Sequence, residues 1–179
     1  MEQLELDRVL FVVSNYPWQK APSRPVSPAK DRLAMVEAAI FAHPGLEVSR
    51  LEIDRGGPSY TVDTVEEILR QEEALGHRRP EIFVVIGADL LETLPSWEKP
   101  ERLAEIATVA VVSRPGAIEP IGLPGWRVVT VVGPGVEISS SEVRTALSTQ
   151  GADDERFVGM LSESVVRYIR GRSLYAGTR

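Results

Sequence analysis

The 179-residue chain has no cysteine and only two histidines, His43 and His77. Without cysteine there is no disulfide scaffold, thiol nucleophile or thiolate zinc site, and two histidines argue against a histidine-rich metal centre. Long apolar runs are missing too. Stretches such as Val9-Leu10-Phe11-Val12-Val13 fall far short of the roughly 20 residues that a spanning helix needs, so no membrane partner is expected. Residues 1–8 offer neither a basic segment nor an apolar one of the signal-peptide kind, which reads as a cytoplasmic protein. Excess positive charge is absent: 20 basic residues face 26 acidic ones, a formal charge of −6. That balance disfavours nucleic-acid binding driven by net charge, yet leaves small anionic ligands open, because a local field can oppose the net one. What is present is an ordinary globular composition, 43% hydrophobic and 26% charged, of a length that suits a single domain, 1–179, with a core of its own.

Four short apolar runs rich in β-branched residues read as parallel strands buried on both faces: 8–14, 82–86, 108–112 and 128–132, with a shorter fifth near 46–51. Helical periodicity falls between them. Leu33, Val36, Ile40 and Phe41 mark a helix over 31–41; Val62, Val65, Ile68, Leu69 and Leu75 mark one over 61–75, with Asp63, Glu66 and Glu67 early in it, where they suit the helix dipole. Further helices are expected at 97–106, 140–147 and 163–170. Strands alternating with helices predict an α/β fold with a mostly parallel sheet and right-handed crossovers. Ligands of such sheets bind beyond the carboxyl ends of the strands, which directs attention to the loops that follow them.

Each loop has a chemical reading and a plain one. Ser139-Ser140-Ser141-Glu142 with Arg144 can make an anion site at a helix start, but Ser139 and Glu142 also fit a capping box that needs no ligand. Gly87-Ala88-Asp89 lets backbone approach a ligand and offers an acid to a ribose, or is simply a strand-to-helix turn. Ser59 and Thr61 present hydroxyls or serve as caps. Trp97 reads as core. Trp18, among prolines in a polar loop, has no packing reason evident from sequence. Arg32 suits a helix salt bridge, Lys20 a solvated charge and Arg114 a surface pair, while His43 and His77 sit at expected helix ends as dipole partners.

Taken in order, these blocks resemble the bacterial nicotinate-mononucleotide adenylyltransferase family, from Leu6 to Tyr175. They are Leu6-Asp7-Arg8-Val9, Pro17-Trp18-Gln19-Lys20 (close to the actinobacterial variant), Asp31-Arg32-x-x-Met35, Arg55-Gly56-Gly57-Pro58-Ser59-Tyr60-Thr61-x-Asp63-Thr64, Gly87-Ala88-Asp89, Ser96-Trp97, Ser113-Arg114-Pro115-Gly116, Ile138-Ser139-Ser140-Ser141-x-Val143-Arg144 and the closing Tyr168-Ile169 with Leu174-Tyr175. The block from Gly57 to Thr64 is the most specific, since the related pantetheine-phosphate adenylyltransferases lack it. The resemblance implies a Rossmann-like sheet of the nucleotidyltransferase type and transfer of AMP from ATP, carried with Mg²⁺, to nicotinate mononucleotide. It implies that Gly87 and Asp89 hold the ATP ribose, Ile138 the adenine, and Ser140, Ser141 and Arg144 the phosphates. Ser59, Tyr60, Thr61 and Trp97 would form the acceptor pocket, with Trp97 stacked on the nicotinate ring, Lys20 reaching phosphate and Arg114 anchoring substrate or loop. No protein metal ligand is implied.

The pattern departs from the family at one place. The block G-G-T-F-D-P-x-H-x-G-H, whose histidines grip the ATP phosphates, is not found in the sequence, and neither His43 nor His77 has its surroundings. The first βα unit, roughly 20–25 residues, is therefore expected to be missing. Its strand would lie between 8–14 and 82–86, so two strand edges are expected to stay unpaired with apolar faces exposed. The favoured reading is that the protein begins upstream of Met1 and carries this block there, and the 179 residues by themselves are expected to lack useful transfer activity. An inactive nucleotide-binding relative, or an adenylyltransferase for another acceptor such as pantetheine phosphate, are the competing readings, and self-association is left open.

Overall fold

The computed structural model describes residues 1–16, 26–113, 122–135, 139–150 and 160–175. Their contacts group the chain into two units, Met1–Pro58 with Glu137–Arg179, and Ser59–Val136.

In the first unit, strand β1 (Val9–Val12) pairs in parallel with β2 (Leu46–Ser49), with Val9 opposite Leu46 and Val12 opposite Ser49. Helix α1 (Ala29–Ile40) crosses between them and the chain turns back through Pro44 and Gly45, the latter at φ +82°, where a side chain would be strained. The run read as a strand to Leu51 breaks at Arg50, and a short helix α2 (Leu51–Arg55) begins instead. It stops at Gly56 and Gly57, both at positive φ. Helices α5 (Ser140–Gln150) and α6 (Glu163–Gly171) complete the unit. Buried Leu147, Val165 and Ile169 form its core with Met35 and Ala38 of α1 against them. One polar knot ties α6 to α1. The Asp31 carboxylate, 2% exposed, accepts from the Tyr168 hydroxyl at 2.9 Å and from Arg172 Nε at 3.3 Å.

In the second unit, β3 (Phe83–Gly87), β4 (Thr108–Ser113) and β5 (Val128–Val132) form a parallel sheet with β4 in the middle. Helix α3 (Thr61–Ala74) carries the predicted apolar stripe inward through Val62 and Val65, but Leu75, counted in that stripe, lies past the helix end and is 67% exposed. Beside them sit Leu103, Ile106 and Ala107 at the end of α4 (Pro100–Ile106). A second cluster, Ile86, Leu91, Leu94, Val109 and Val111, joins the sheet to a 3-10 run, Ala88–Ser96, that periodicity does not announce. The helix expected to start at Trp97 starts at Pro100: Lys99 takes a left-handed conformation, and proline is suited to the first helical position.

Burial on both faces holds for β4, whose Val109, Ala110 and Val111 are completely enclosed. It does not hold for β1 or β3, where Phe11 is 40% and Val85 53% exposed. The cause is pairing. Among the described residues β1 has only β2 as a neighbour and β3 only β4, so each keeps one open edge, and the strands form two sheets rather than one. Parallel pairing throughout agrees with the expected α/β class. No helix among the described residues is long and apolar enough to cross a membrane.

Candidate nucleotide and acceptor site

At the carboxyl end of β3 the chain passes through Gly87 into the 3-10 run, and Asp89 turns back over it. A Cβ placed on Gly87 would lie 2.5 Å from Asp89 Oδ1. Since Gly87 itself has an ordinary φ of −73°, glycine there leaves room for the Asp89 carboxylate in this rotamer and is not required for backbone freedom. Asp89 is exposed. An ionised carboxylate accepts from two donors at once, the pairing a vicinal diol can offer.

The start of α3 resolves one ambiguity. Its N-cap position falls on Tyr60, in extended conformation and without a side-chain capping bond, so neither Ser59 nor Thr61 occupies the cap. Tyr60 is half-buried against the cluster of Val62, Val65, Leu103, Ile106 and Ala107, and Trp97 packs against the same cluster. Two of the four residues expected to form the acceptor pocket therefore share one support. Trp97 also touches the second cluster while staying only half-buried, which combines the core reading with an available ring surface. Its indole Nε1–H donates to Thr93 Oγ1 at 3.1 Å. In the first turn of α3, Asp63 faces Lys99 at 3.6 Å.

Ser140, Ser141 and Arg144 lie in the first unit at the start of α5, whereas Ser59, Tyr60, Thr61, Gly87, Asp89 and Trp97 lie in the second. The capping box is real. Ser139 N–H donates to Glu142 Oε2 at 2.8 Å and Glu142 N–H to Ser139 Oγ at 3.1 Å. The Ser139 side chain first, and its backbone N–H second, hold the Glu142 carboxyl below its ordinary pKa. The cap coexists with the anion-site reading: Arg144 donates to Ser141 Oγ at 3.2 Å, and Ser140 and Ser141 are exposed, so hydroxyls and a guanidinium are presented on one turn. Lys20, Arg114 and Ile138, as well as Trp18, lie outside the described residues.

Arg32 is not the helix salt bridge expected of it. Its Nε donates to the Ser27 carbonyl at 3.0 Å and its Nη2 to the Asn15 carbonyl at 3.0 Å. Burial lowers its pKa against the attraction of Tyr175 and Glu52. Asn15 Nδ2 in turn donates to the Gly57 carbonyl at 3.0 Å, and Tyr16 makes an isolated parallel bridge with Pro58. One guanidinium thus fastens the end of β1 and the approach to α1, and Asn15 extends the tie to the turn that precedes Ser59. A fork that binds two backbone carbonyls leaves no pattern of opposite charges to be read in sequence, and the same holds for Thr93. His77 meets a carboxylate, Glu72 Oε2, at 2.8 Å, near the end of α3. A groove of about 460 Å³ lined by Ile40, Phe41, His43, Pro44, Leu46 and Val48 holds none of the expected site residues.

Comparison with known proteins gives a consistent picture. Residues 1–146 match the family model described as cytidylyltransferase-like. A curated protein of Acidothermus cellulolyticus named "Probable nicotinate-nucleotide adenylyltransferase" is 37% identical over 178 residues, 98% of this chain and 83% of its own length. Its namesake in Streptomyces coelicolor is 40% identical over 176 residues, 98% of this chain and 88% of that protein. In Thermus thermophilus the figures are 45% over 147 residues, 82% of this chain and 73% of that protein. A solved structure, Plasmodium falciparum nicotinic acid mononucleotide adenylyltransferase complexed with NaAD, superposes with a TM-score of 0.73 at 19% identity, covering 95% of this chain and 83% of that one. At that identity the likeness speaks for the fold, an α/β nucleotidyltransferase fold. Identity sustained over nearly the whole chain speaks for more: the chain belongs to the cytidylyltransferase-like family and, within it, to the nicotinate-nucleotide adenylyltransferases.

Proposed function

We propose that this protein transfers AMP from ATP to nicotinate mononucleotide, giving nicotinate adenine dinucleotide and pyrophosphate. The observation that carries this is the 37–40% identity over 98% of the chain to proteins of that name. In the reaction an acceptor phosphate oxygen attacks the α-phosphorus of ATP in line, one P–O bond forms, and the bond to the β-phosphate breaks to release pyrophosphate. No covalent enzyme intermediate is required, so the protein contributes positioning and stabilisation of charge on the transferring group.

The residues divide the work accordingly. Asp89, held over Gly87, accepts from the ribose hydroxyls, and Ile138 lines the adenine. Ser140, Ser141 and Arg144 donate to phosphate oxygens, with Lys20 reaching phosphate as well. Tyr60 and Trp97, braced on one core, present aromatic surface to the nicotinate ring. Ser59 and Thr61 supply polar groups towards its carboxylate, and Arg114 anchors substrate or loop. A nicotinamide would leave such groups poorly paired, which is how a polar site discriminates. Mg²⁺ would enter on the ATP polyphosphate and neutralise charge there. The hydroxyls and guanidinium at the start of α5 are donors suited to phosphate and not a hard-cation ligand set. Soluble nucleotide substrates go with a cytoplasmic setting.

The test is the 179-residue chain with ATP, Mg²⁺ and, in parallel, nicotinate mononucleotide, nicotinamide mononucleotide or pantetheine phosphate. Binding is read by calorimetry and products by chromatography. Dinucleotide made preferentially from nicotinate mononucleotide supports the proposal, and preference for pantetheine phosphate overturns it. Turnover below about 1 per second is expected of these 179 residues without the histidine block, and the comparison of acceptor affinities then decides between the nicotinate and pantetheine-phosphate readings.

A further inference from the structure

We infer that Thr93 is a positioning residue for acceptor recognition, acting through Trp97; the inference rests on the proposed function, in which the Trp97 ring stacks on the acceptor. Thr93 lies in the 3-10 run Ala88–Ser96, one residue before Leu94, which is fully buried. Its hydroxyl has a single proton, and that proton is committed to the Leu90 carbonyl at 2.7 Å. The oxygen is left with lone pairs only. It therefore accepts, and the partner at 3.1 Å is Trp97 Nε1–H, a group that can only donate. The polarity of this pair is fixed at both ends.

The surroundings make the pair a directional device. Leu91 and Leu94 anchor the run in the second core cluster, so the Thr93 backbone does not move with its side chain. Ser96 Oγ–H donates to the Thr93 carbonyl at 2.6 Å and Trp97 N–H to the Leu94 carbonyl at 3.0 Å, closing the turn that leads into the tryptophan. Packing against the two clusters restrains the indole but leaves it half-buried, and apolar contact alone does not choose the direction of its N–H. The hydroxyl of Thr93 makes that choice and holds the ring in one rotamer. The ring that would stack on it is a flat pyridinium cation, which tryptophan binds best face-on. A rotating indole would forfeit part of that contact and lose side-chain freedom on binding.

Thr93→Val removes the hydroxyl while keeping the shape, Thr93→Ser keeps the hydroxyl, and Trp97→Phe removes the N–H while keeping an aromatic ring. In the full chain, calorimetry measures nicotinate mononucleotide and ATP binding separately, and the Trp97 indole N–H resonance reports the hydrogen bond. Thr93→Val is expected to weaken nicotinate mononucleotide binding about 3- to 10-fold, the range of one net hydrogen bond. It should leave ATP binding unchanged and shift the Trp97 resonance. Thr93→Ser should restore both, and in the Trp97→Phe background Thr93→Val should have no further effect. Equal weakening of both ligands, or unchanged acceptor binding in Thr93→Val, overturns the inference and leaves the proposed function standing. A wild-type chain that binds ATP but no nicotinate mononucleotide overturns the proposed function and this inference with it.

Discussion

At the scale of single residues, the glycines beside the expected site have different causes. Gly56 and Gly57 suit their positive φ, whereas Gly87 leaves room for the Asp89 carboxylate that folds over it. Gly87→Ala is accordingly expected to push the Asp89 carboxylate aside and weaken ATP binding, with little change in nicotinate mononucleotide binding. Calorimetry with each ligand checks this, and an unchanged ATP affinity would show that Asp89 does not hold the ribose. Arg32 supports a different prediction. Arg32→Met leaves the carbonyls of Asn15 and Ser27 without their donor, for an expected loss of about 1–2 kcal/mol in urea unfolding. The glycine and the aspartate could be picked out from sequence because they follow a strand. Arg32 is visible in the sequence, but its partners are not, since they are backbone atoms brought in by the fold.

At the scale of elements, helix ends were the most legible part of the chain and also the most exposed to misreading. The α5 capping box was written in its spacing. Ser139→Ala is expected to cost about 1 kcal/mol, read as a lower urea midpoint. Its pH dependence has a definite sign: Glu142 is held below its ordinary value of 4.5. Its contribution is therefore complete above about pH 4.5 and fades as the pH falls through the lowered folded value. The advantage of wild type over Glu142→Gln in urea midpoint should disappear on such acidification. By contrast, α2 and the 3-10 run Ala88–Ser96 were not foreseen. Five residues are too few to show a period, and a 3-10 run with Pro95 inside does not follow the 3.6-residue pattern. Trp97 lies before α4 and not on it, because the left-handed Lys99 that delays the helix carries no signature in sequence.

At the scale of the whole molecule, each unit has its own core, and the knot of Asp31, Tyr168 and Arg172 joins distant parts of one of them. Hydrogen bonding to Asp31, foremost, together with burial, raises the Tyr168 phenol above its ordinary value of 10. The stabilisation it provides is thus present below about pH 10 and lost as the pH rises through the higher folded value. In Tyr168→Phe that alkaline loss should be absent from the pH dependence of thermal unfolding. In the other unit, Leu103→Ala empties a fully enclosed position and is expected to cost about 2–5 kcal/mol. Amide exchange should rise in α3 and β3, because Leu103 shares its cluster with Val62 and Val65 of α3, and Val84 of β3 packs against that cluster.

Sequence alone determined the α/β class, the order of the strands and long helices, the capping box and the family, since each rests on local periodicity or on a run of residues read in chain order. Tertiary structure decided which apolar strands are truly enclosed: β4 has a partner on both sides, while β1 and β3 each have only one. It also decided what the polar groups do. Arg32 spans Asn15 and Ser27 across 17 and 5 positions of chain, and Asp31 meets Tyr168 across 137. Hydrogen bonds join atoms by distance in space, and the chain sets that distance only once its packed core has brought remote segments together.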